Sequence, residues 1–487
     1  MKRIYFWAAI CLLLMSSCGK SERRIRGERL YYTNLFANQN MATYYYWVGD
    51  PTVSANISRW YLDIRDNYME DAVGMVESCR YPADQWTALY EDAAAFESSV
   101  TGQGQSFGFE AGISQNHDKL VILFTYEGSP ADKAGLKRGD VFSTVNGTQL
   151  ADDNYTTVIA EAMGGSTIEL GREGKSVTLQ SSDRYDNPIV VSKVLEIGGK
   201  RIGYLFYTSF TLVSARDLVA TAADFKSKGI DDLVLDLRYN TGGYTITANV
   251  LASLLAPASA VKSGAVWTKD TFNSRLMEAL DKEVAEGRDD RRLFCFASSF
   301  ELPQDEGTIS LSGANLDLSR LWVITSKNTA SASEALICGL KPYMNVKLVG
   351  QQTYGKYCGG SLIKGEDWYD ALANGENKAH IKTDLGKSYT TGWGIYVIST
   401  KFTDRDGNNA GEPDGFPADV TATDNPADGF QLGDPQESML ATVLSDMGVA
   451  SKAPTKAAIE GFPVEIPKVL LPAGFGVYIT EPLPIAE

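Results

Sequence analysis

Three short runs of residues, apolar at nearly every position, constrain this chain more than anything else in it: Leu233-Val234-Leu235-Asp236-Leu237, Leu321-Trp322-Val323-Ile324-Thr325 and Val346-Lys347-Leu348-Val349-Gly350. A strand that is apolar on both faces has to be covered on both faces, the condition met by parallel sheets with helices packed over them. From about Val191 onward such strands alternate with helical patterns, so the expected fold class is α/β with a layered core. Parallel strands joined by crossover helices bring their C-terminal ends to one edge. On that edge the sequence sets Gly242-Gly243 after the first run, Ser331 after the second and Lys356 after the third.

A serine hydroxyl needs a base before it can act as a nucleophile. The chain has only two histidines, His117 and His380, and neither lies in a setting that resembles a serine hydrolase motif. Lysine is the natural substitute, but its reference pKa of about 10.4 leaves on the order of one part in a thousand neutral near pH 7. Burial lowers a lysine by disfavouring the charged form, so Ser331 with Lys356 implies a dry pocket. Read alone, Ser331-Ala332-Ser333-Glu334 is a helix capping box, and the same serine can fill both roles.

The chain before the core divides by composition. Residues 30–98 are rich in tyrosine and tryptophan at helical spacing and read as a small N-terminal helical domain whose aromatic stripe is core. Residues 99–185 switch to short strands and turns. The string Ser129-Pro130-Ala131-Asp132-Lys133-Ala134-Gly135-Leu136, continuing through Gly139-Asp140-Val141-Phe142 to Asn146-Gly147, resembles a PDZ domain. That resemblance implies a polypeptide added to a sheet edge, with the loop Phe107-Gly108-Phe109 capturing a terminal carboxylate. Residues 186–447 form the core, within which 258–318 reads as a charged, irregular stretch, either a lid or a solvated insertion. Residues 448–487 remain as a C-terminal segment.

At the start, Met1-Lys2-Arg3 and an apolar run to Met15 read as a signal peptide. Ser16-Ser17-Cys18-Gly19 resembles the lipobox of bacterial lipoproteins, which implies cleavage before Cys18, a lipid on its thiol, a spacer over 18–29 and an anchor in the cell envelope; Gly19-Lys20-Ser21-Glu22-Arg23-Arg24 lacks the acidic cluster that resembles a surface-export signal, which favours the periplasmic face. Removing residues 1–17 takes the formal charge from −16 to −18, which argues against nucleic acid as a partner. Cys79, Cys295, Cys338 and Cys358 show no paired metal-ligand spacing, so neither zinc nor any disulfide is assigned. Asp404-Arg405-Asp406-Gly407-Asn408 lacks the sixth-position glycine of a calcium loop and reads as a turn. No metal or cofactor is expected.

Together these motifs resemble the C-terminal processing peptidases, PDZ-containing Ser/Lys serine proteases with a core similar to the ClpP and crotonase fold. The carriers are Asp236 to Gly243, Ser331 to Glu334, Thr353-Tyr354-Gly355-Lys356, Gly415-Phe416-Pro417-Ala418-Asp419-Val420 and Asp434-Pro435-Gln436. The resemblance implies Ser331 as nucleophile and Lys356 as base, with the amides of Ala332 and of Gly243 or Gly242 as oxyanion donors. Glu334 and Thr353 are implied as supporting residues, and the substrate as an unfolded or tail-exposed polypeptide. One departure stands out: many members carry a glutamine four residues after the lysine, where this chain has Gly360. Gln351 and Gln352 are the candidate substitutes, and a catalytically weakened, chaperone-like binding protein on the same fold is the alternative. Oligomeric state is left open.

Overall fold

The computed structural model describes residues 26–66, 70–303, 306–374, 383–449, 464–467 and 478–479. Cys18, the signal segment and His380 lie outside them. The apolar runs form the parallel strands Asp232–Asp236, Arg320–Thr325 and Asn345–Gly350, with Leu235 opposite Val323 and Val323 opposite Leu348. Lys200–Tyr207 joins this sheet parallel on one side, with Ile189–Ile197 antiparallel beyond it, and Val420–Thr421 closes the other side.

The period of two along each strand sorts the side chains between two cores. Leu233, Leu235, Leu321 and Val323 pack against the helices Ser214–Ser227, Thr245–Leu255 and Ala332–Leu340. Val234, Trp322 and Ile324 face the helix Ser438–Asp446 through Met439, Leu440 and Val443. Both faces are covered, as the runs required.

A second sheet stands beside the first, in the order Gly243–Tyr244, Tyr478–Ile479, Cys358–Lys364, Gly394–Asp404, Val266–Thr271, Leu293–Cys295, with Ala88–Tyr90 paired onto Gly394–Asp404. Two expectations change here. The 258–318 stretch is not an irregular insertion, because Val266–Thr271 is an interior strand with Trp267 fully buried. Nor do residues 30–98 stand apart as a helical domain. Asp50 caps the helix Pro51–Arg65 and Asp71 caps Ala72–Cys79, but Phe36, Tyr45, Trp60 and Phe96 share one core with Ile395 and Tyr396 of the second sheet and with Trp368 of the helix Gly365–Asn374.

The small β unit carries two four-stranded sheets. Asn146 and Gly147, at φ 49° and 74°, turn the hairpin that the sequence marks, pairing Thr144–Val145 with Thr148–Gln149. Ser129 caps the short helix Pro130–Lys133. One of its sheets is completed by Val464–Glu465, a strand from far along the chain.

Candidate active site

Ser331 sits at the N-terminus of the helix Ala332–Leu340 with φ 61° and ψ −113°, a left-handed backbone that a serine adopts only when its surroundings impose it. The imposing contacts are Ala330 N–H donating to Asn240 O at 3.1 Å and Glu334 Oε2 accepting the Ser331 amide at 2.8 Å. Ser331 is fully buried, and its Oγ has no hydrogen-bond partner among the described residues.

Glu334 does more than close its own helix. Its Oε2 also accepts the Lys356 amide at 2.8 Å, while Oε1 accepts Gly355 N–H at 2.7 Å and the Thr353 hydroxyl at 2.6 Å. One carboxylate oxygen therefore holds the backbones of Ser331 and Lys356 together. Thr353 Oγ1 in turn accepts Phe416 N–H at 2.7 Å, and Tyr354 N–H donates to Thr329 O, so the lysine loop is fastened from both ends. Burial pushes the Glu334 carboxyl up to about 7, against the pull of its four donors.

Lys356 is also fully buried, and desolvation brings it down to about 8, although Cys358, Asp84 and Glu334 oppose the shift. Its Nζ lies 4.9 Å from the ring centre of Trp86 and 5.3 Å from that of Tyr396, and donates to the Tyr396 hydroxyl at 3.4 Å. Trp86 is presented by a turn in which Asp84 accepts the Trp86 and Thr87 amides and the Tyr45 hydroxyl. Sequence reasoning missed this cage. The only signal was the aromatic stretch before Ala95, read wholly as core.

Gln351 and Gln352 do not reach the lysine: Gln352 Nε2 donates to Asp414 O, and Gln351 meets Thr325 through its backbone. Gly360 has a steric reason to be glycine. A Cβ there would lie 2.1 Å from Val397 O in the neighbouring strand, so this backbone has no room for a glutamine. Cys358, fully buried beside Lys356, is pushed up to about 12 and stays a neutral thiol, and all four described cysteines are free.

The glycine turn is stitched to the serine loop. Asn240 Nδ2 donates to Tyr207 O and its Oδ1 accepts Gly242 N–H at 2.9 Å, while Ser333 Oγ donates to Asn240 O. The Gly242 amide is thereby engaged, which leaves Gly243 as the glycine of the pair to weigh as an oxyanion donor. Gly243, at φ 136°, passes so close to Phe210 that a Cβ would meet its carbonyl oxygen at 2.4 Å. Ala332 N–H, at the first position of its helix, has no intrahelical acceptor.

Behind the turn, Arg238 is buried among carboxylates, donating to Asp236, to Glu437 at 2.7 Å and to Asp424 at 2.7 Å. Arg138 of the small β unit joins the same group through Asp424 and Tyr239, tying that unit to the core. A cavity of about 480 Å³ runs between the two, lined by Phe107, Phe109, Glu110, Gly242, Gly243 and Ile466 among others. The Phe107-Gly108-Phe109 loop is closed on itself: both rings are in the core, and Gly108 N–H donates to Ser106 Oγ at 2.8 Å. Asp404 Oδ1 accepts the Asp406 and Asn408 amides, closing the turn read from sequence.

Residues 201–422 match the family model described as Peptidase family S41. The chain is 25% identical over 312 residues to the carboxy-terminal processing protease CtpA of Bacillus subtilis, covering 61% of this chain and 59% of that one. It is 26% identical over 303 residues to CtpB of the same organism, covering 60% and 55%. The chain thus spans less than two thirds of the length of these relatives. An S41-protease-like chain from Bacteroides fragilis shares the fold, with a TM-score of 0.59 at 21% identity over 85% of this chain and 97% of that one. Residues 201–422 are thus similar to Peptidase family S41, on a mixed helix and sheet fold.

Proposed function

We propose that this chain is a serine endopeptidase that cleaves unfolded or tail-exposed polypeptides by acyl transfer through Ser331, with Lys356 as general base. The observation that carries the reading is the Glu334 carboxylate accepting the amides of both residues, which ties the backbone of a buried serine with an unpartnered hydroxyl to that of a buried lysine of lowered pKa.

In the first step Ser331 Oγ attacks the scissile carbonyl and Lys356 Nζ takes its proton. The tetrahedral oxyanion is met by the amides of Ala332 and Gly243, the former reinforced by the helix dipole. Lys356 returns the proton to the leaving amine, and the same base then activates water against the ester. To do so Nζ turns from Tyr396 toward Ser331, a rearrangement consistent with hydrogen bonds that tighten only when substrate is present.

The small β unit fits a PDZ reading, in which Phe109–Ser114 offers the sheet edge to a polypeptide. Ser331→Ala is expected to cut turnover of a reduced, carboxymethylated protein by about 10⁴ or more. Equal cleavage by wild type and variant would remove Ser331 from the mechanism, and polypeptide binding without any cleavage by either would favour the chaperone-like alternative.

By its leader and Cys18, the protein is proposed to be exported and lipid-anchored, facing the periplasm. Cys18→Ser is expected to abolish incorporation of labelled palmitate in a bacterial host. Undiminished labelling would refute the anchor.

A further inference from the structure

Among the described residues, the C-terminal segment pairs with the rest of the molecule at two strand edges. Val464–Glu465 pairs antiparallel with Phe109–Ser114 of the small β unit, Val464 opposite Ser114 and Glu465 opposite Ile113. Gly112 makes this approach possible, since a Cβ there would meet Val464 Cγ1 at 2.2 Å and Glu465 O at 2.9 Å. Val464 and Ile466 pack on the core around Leu123 and Phe124, and Glu465 Oε1 lies 3.0 Å from His117 Nε2, whose ring stacks on Tyr155 and whose Nδ1 meets Asp152 at 2.6 Å. No reading of the chemistry absorbs that histidine.

Farther on, Tyr478–Ile479 lies parallel between Gly243–Tyr244 and Cys358–Lys364, with Tyr478 opposite Gly243 and Ile479 opposite both Tyr244 and Gly360. It fills one strand's width, about 4.8 Å to each side, between the glycine turn and the strand that follows Lys356. Ile466 lines the cavity that also reaches Phe109, Gly242 and Gly243. The two contacts therefore mark the ends of one path, from the edge of the small β unit to the turn beside Ser331.

We propose that this path is the docking surface for an extended polypeptide, and that residues 464–467 and 478–479 hold it in cis as an internal competitor that substrate must displace. The occupant and the ligand are recognised by the same chemistry, main-chain hydrogen bonds to exposed strand edges, with small apolar side chains facing Leu123 and Phe124. A substrate enters as an internal strand rather than by a captured carboxylate, because the Gly108 amide is already engaged by Ser106. The inference rests on the peptidase reading for the identity of the ligand, but its test does not depend on cleavage.

Binding of a fluorescently labelled, carboxymethylated, unfolded protein is measured by anisotropy on the Ser331→Ala background, which prevents turnover. Three forms are compared: the full chain, a chain ending at Val449, and the full chain with Ile466→Asp. A competitor present nine-tenths of the time weakens apparent affinity about tenfold, so both altered forms are expected to bind about tenfold more tightly than the full chain. A synthetic peptide of residues 462–482 is expected to compete with the label on the shortened chain.

Equal affinity of the full chain and Ile466→Asp overturns the proposal, as does a peptide that fails to compete. If the shortened chain does not fold, the Ile466→Asp comparison and peptide competition on that variant decide alone. Tighter binding by the altered forms, with no cleavage by the wild-type serine, supports the internal competitor while refuting the peptidase reading. Cleavage with unchanged affinities does the reverse.

Discussion

Lys356→Met is expected to lower kcat on an unfolded polypeptide by roughly 10⁴ to 10⁶, as loss of the nucleophile–base unit does in serine hydrolases. Methionine keeps an unbranched apolar stem one atom shorter than lysine's, and it fits between Trp86 and Tyr396 without leaving a buried charge. The fold should therefore survive, and a merely structural lysine would leave most of the activity in place.

The pH profile separates the two roles further. Lys356 acts as a base only when neutral, above about 8, and Glu334 holds its four donors only when ionised, above about 7. Both requirements are lost as pH falls. The logarithm of kcat/KM should rise with slope two below about pH 7, with slope one between about 7 and 8, and level off above. A profile flat from pH 6 to about 9, measured under single-turnover conditions, would be incompatible with a lysine base.

Glu334→Gln is the second large effect. A carboxylate offers acceptors on both oxygens, whereas an amide offers one oxygen and one NH₂ group. Whichever way the glutamine turns, two of the four donors from Ser331, Thr353, Gly355 and Lys356 face an NH₂ group in a buried site. At about 1–3 kcal/mol for each unsatisfied donor, the folded state should lose roughly 2–6 kcal/mol, read from the urea midpoint. Activity should fall with it, since the same oxygen fixes the backbones of both proposed catalytic residues. A variant with wild-type stability and turnover would show that the clamp is incidental.

The parallel sheet was legible because runs such as Leu233 to Leu237 have no polar face to offer solvent, so their burial on both sides follows from composition alone. Ser331, Lys356 and the glycine pair could be placed on one edge by the same argument, and the spacing of Ser331 and Glu334 announced a helix cap, but not that its carboxylate would also hold the Lys356 backbone. The lysine cage was not legible. Trp86 and Tyr396 come from a turn and a strand some three hundred residues apart, and no local pattern says that two aromatic side chains will meet over an amine. Gly360 could be noticed as a departure but not explained, because its reason is the carbonyl of Val397 in the next strand. Two-residue strands such as Val464–Glu465 carry no periodicity at all, and only the edges that receive them reveal them.

The strand Tyr478–Ile479 also bears on how the molecule is made. It joins Gly243–Tyr244 to Cys358–Lys364, so the second sheet becomes continuous only through a pairing that spans almost half the sequence. Contacts of such long range form late, and a chain growing from its N-terminus has both flanking strands in place before the joining one exists. Until then two unpaired edges face each other across an open slot, a template for association with another chain. Shortened or stalled chains that end before Tyr478 should accordingly be the aggregation-prone form of this protein.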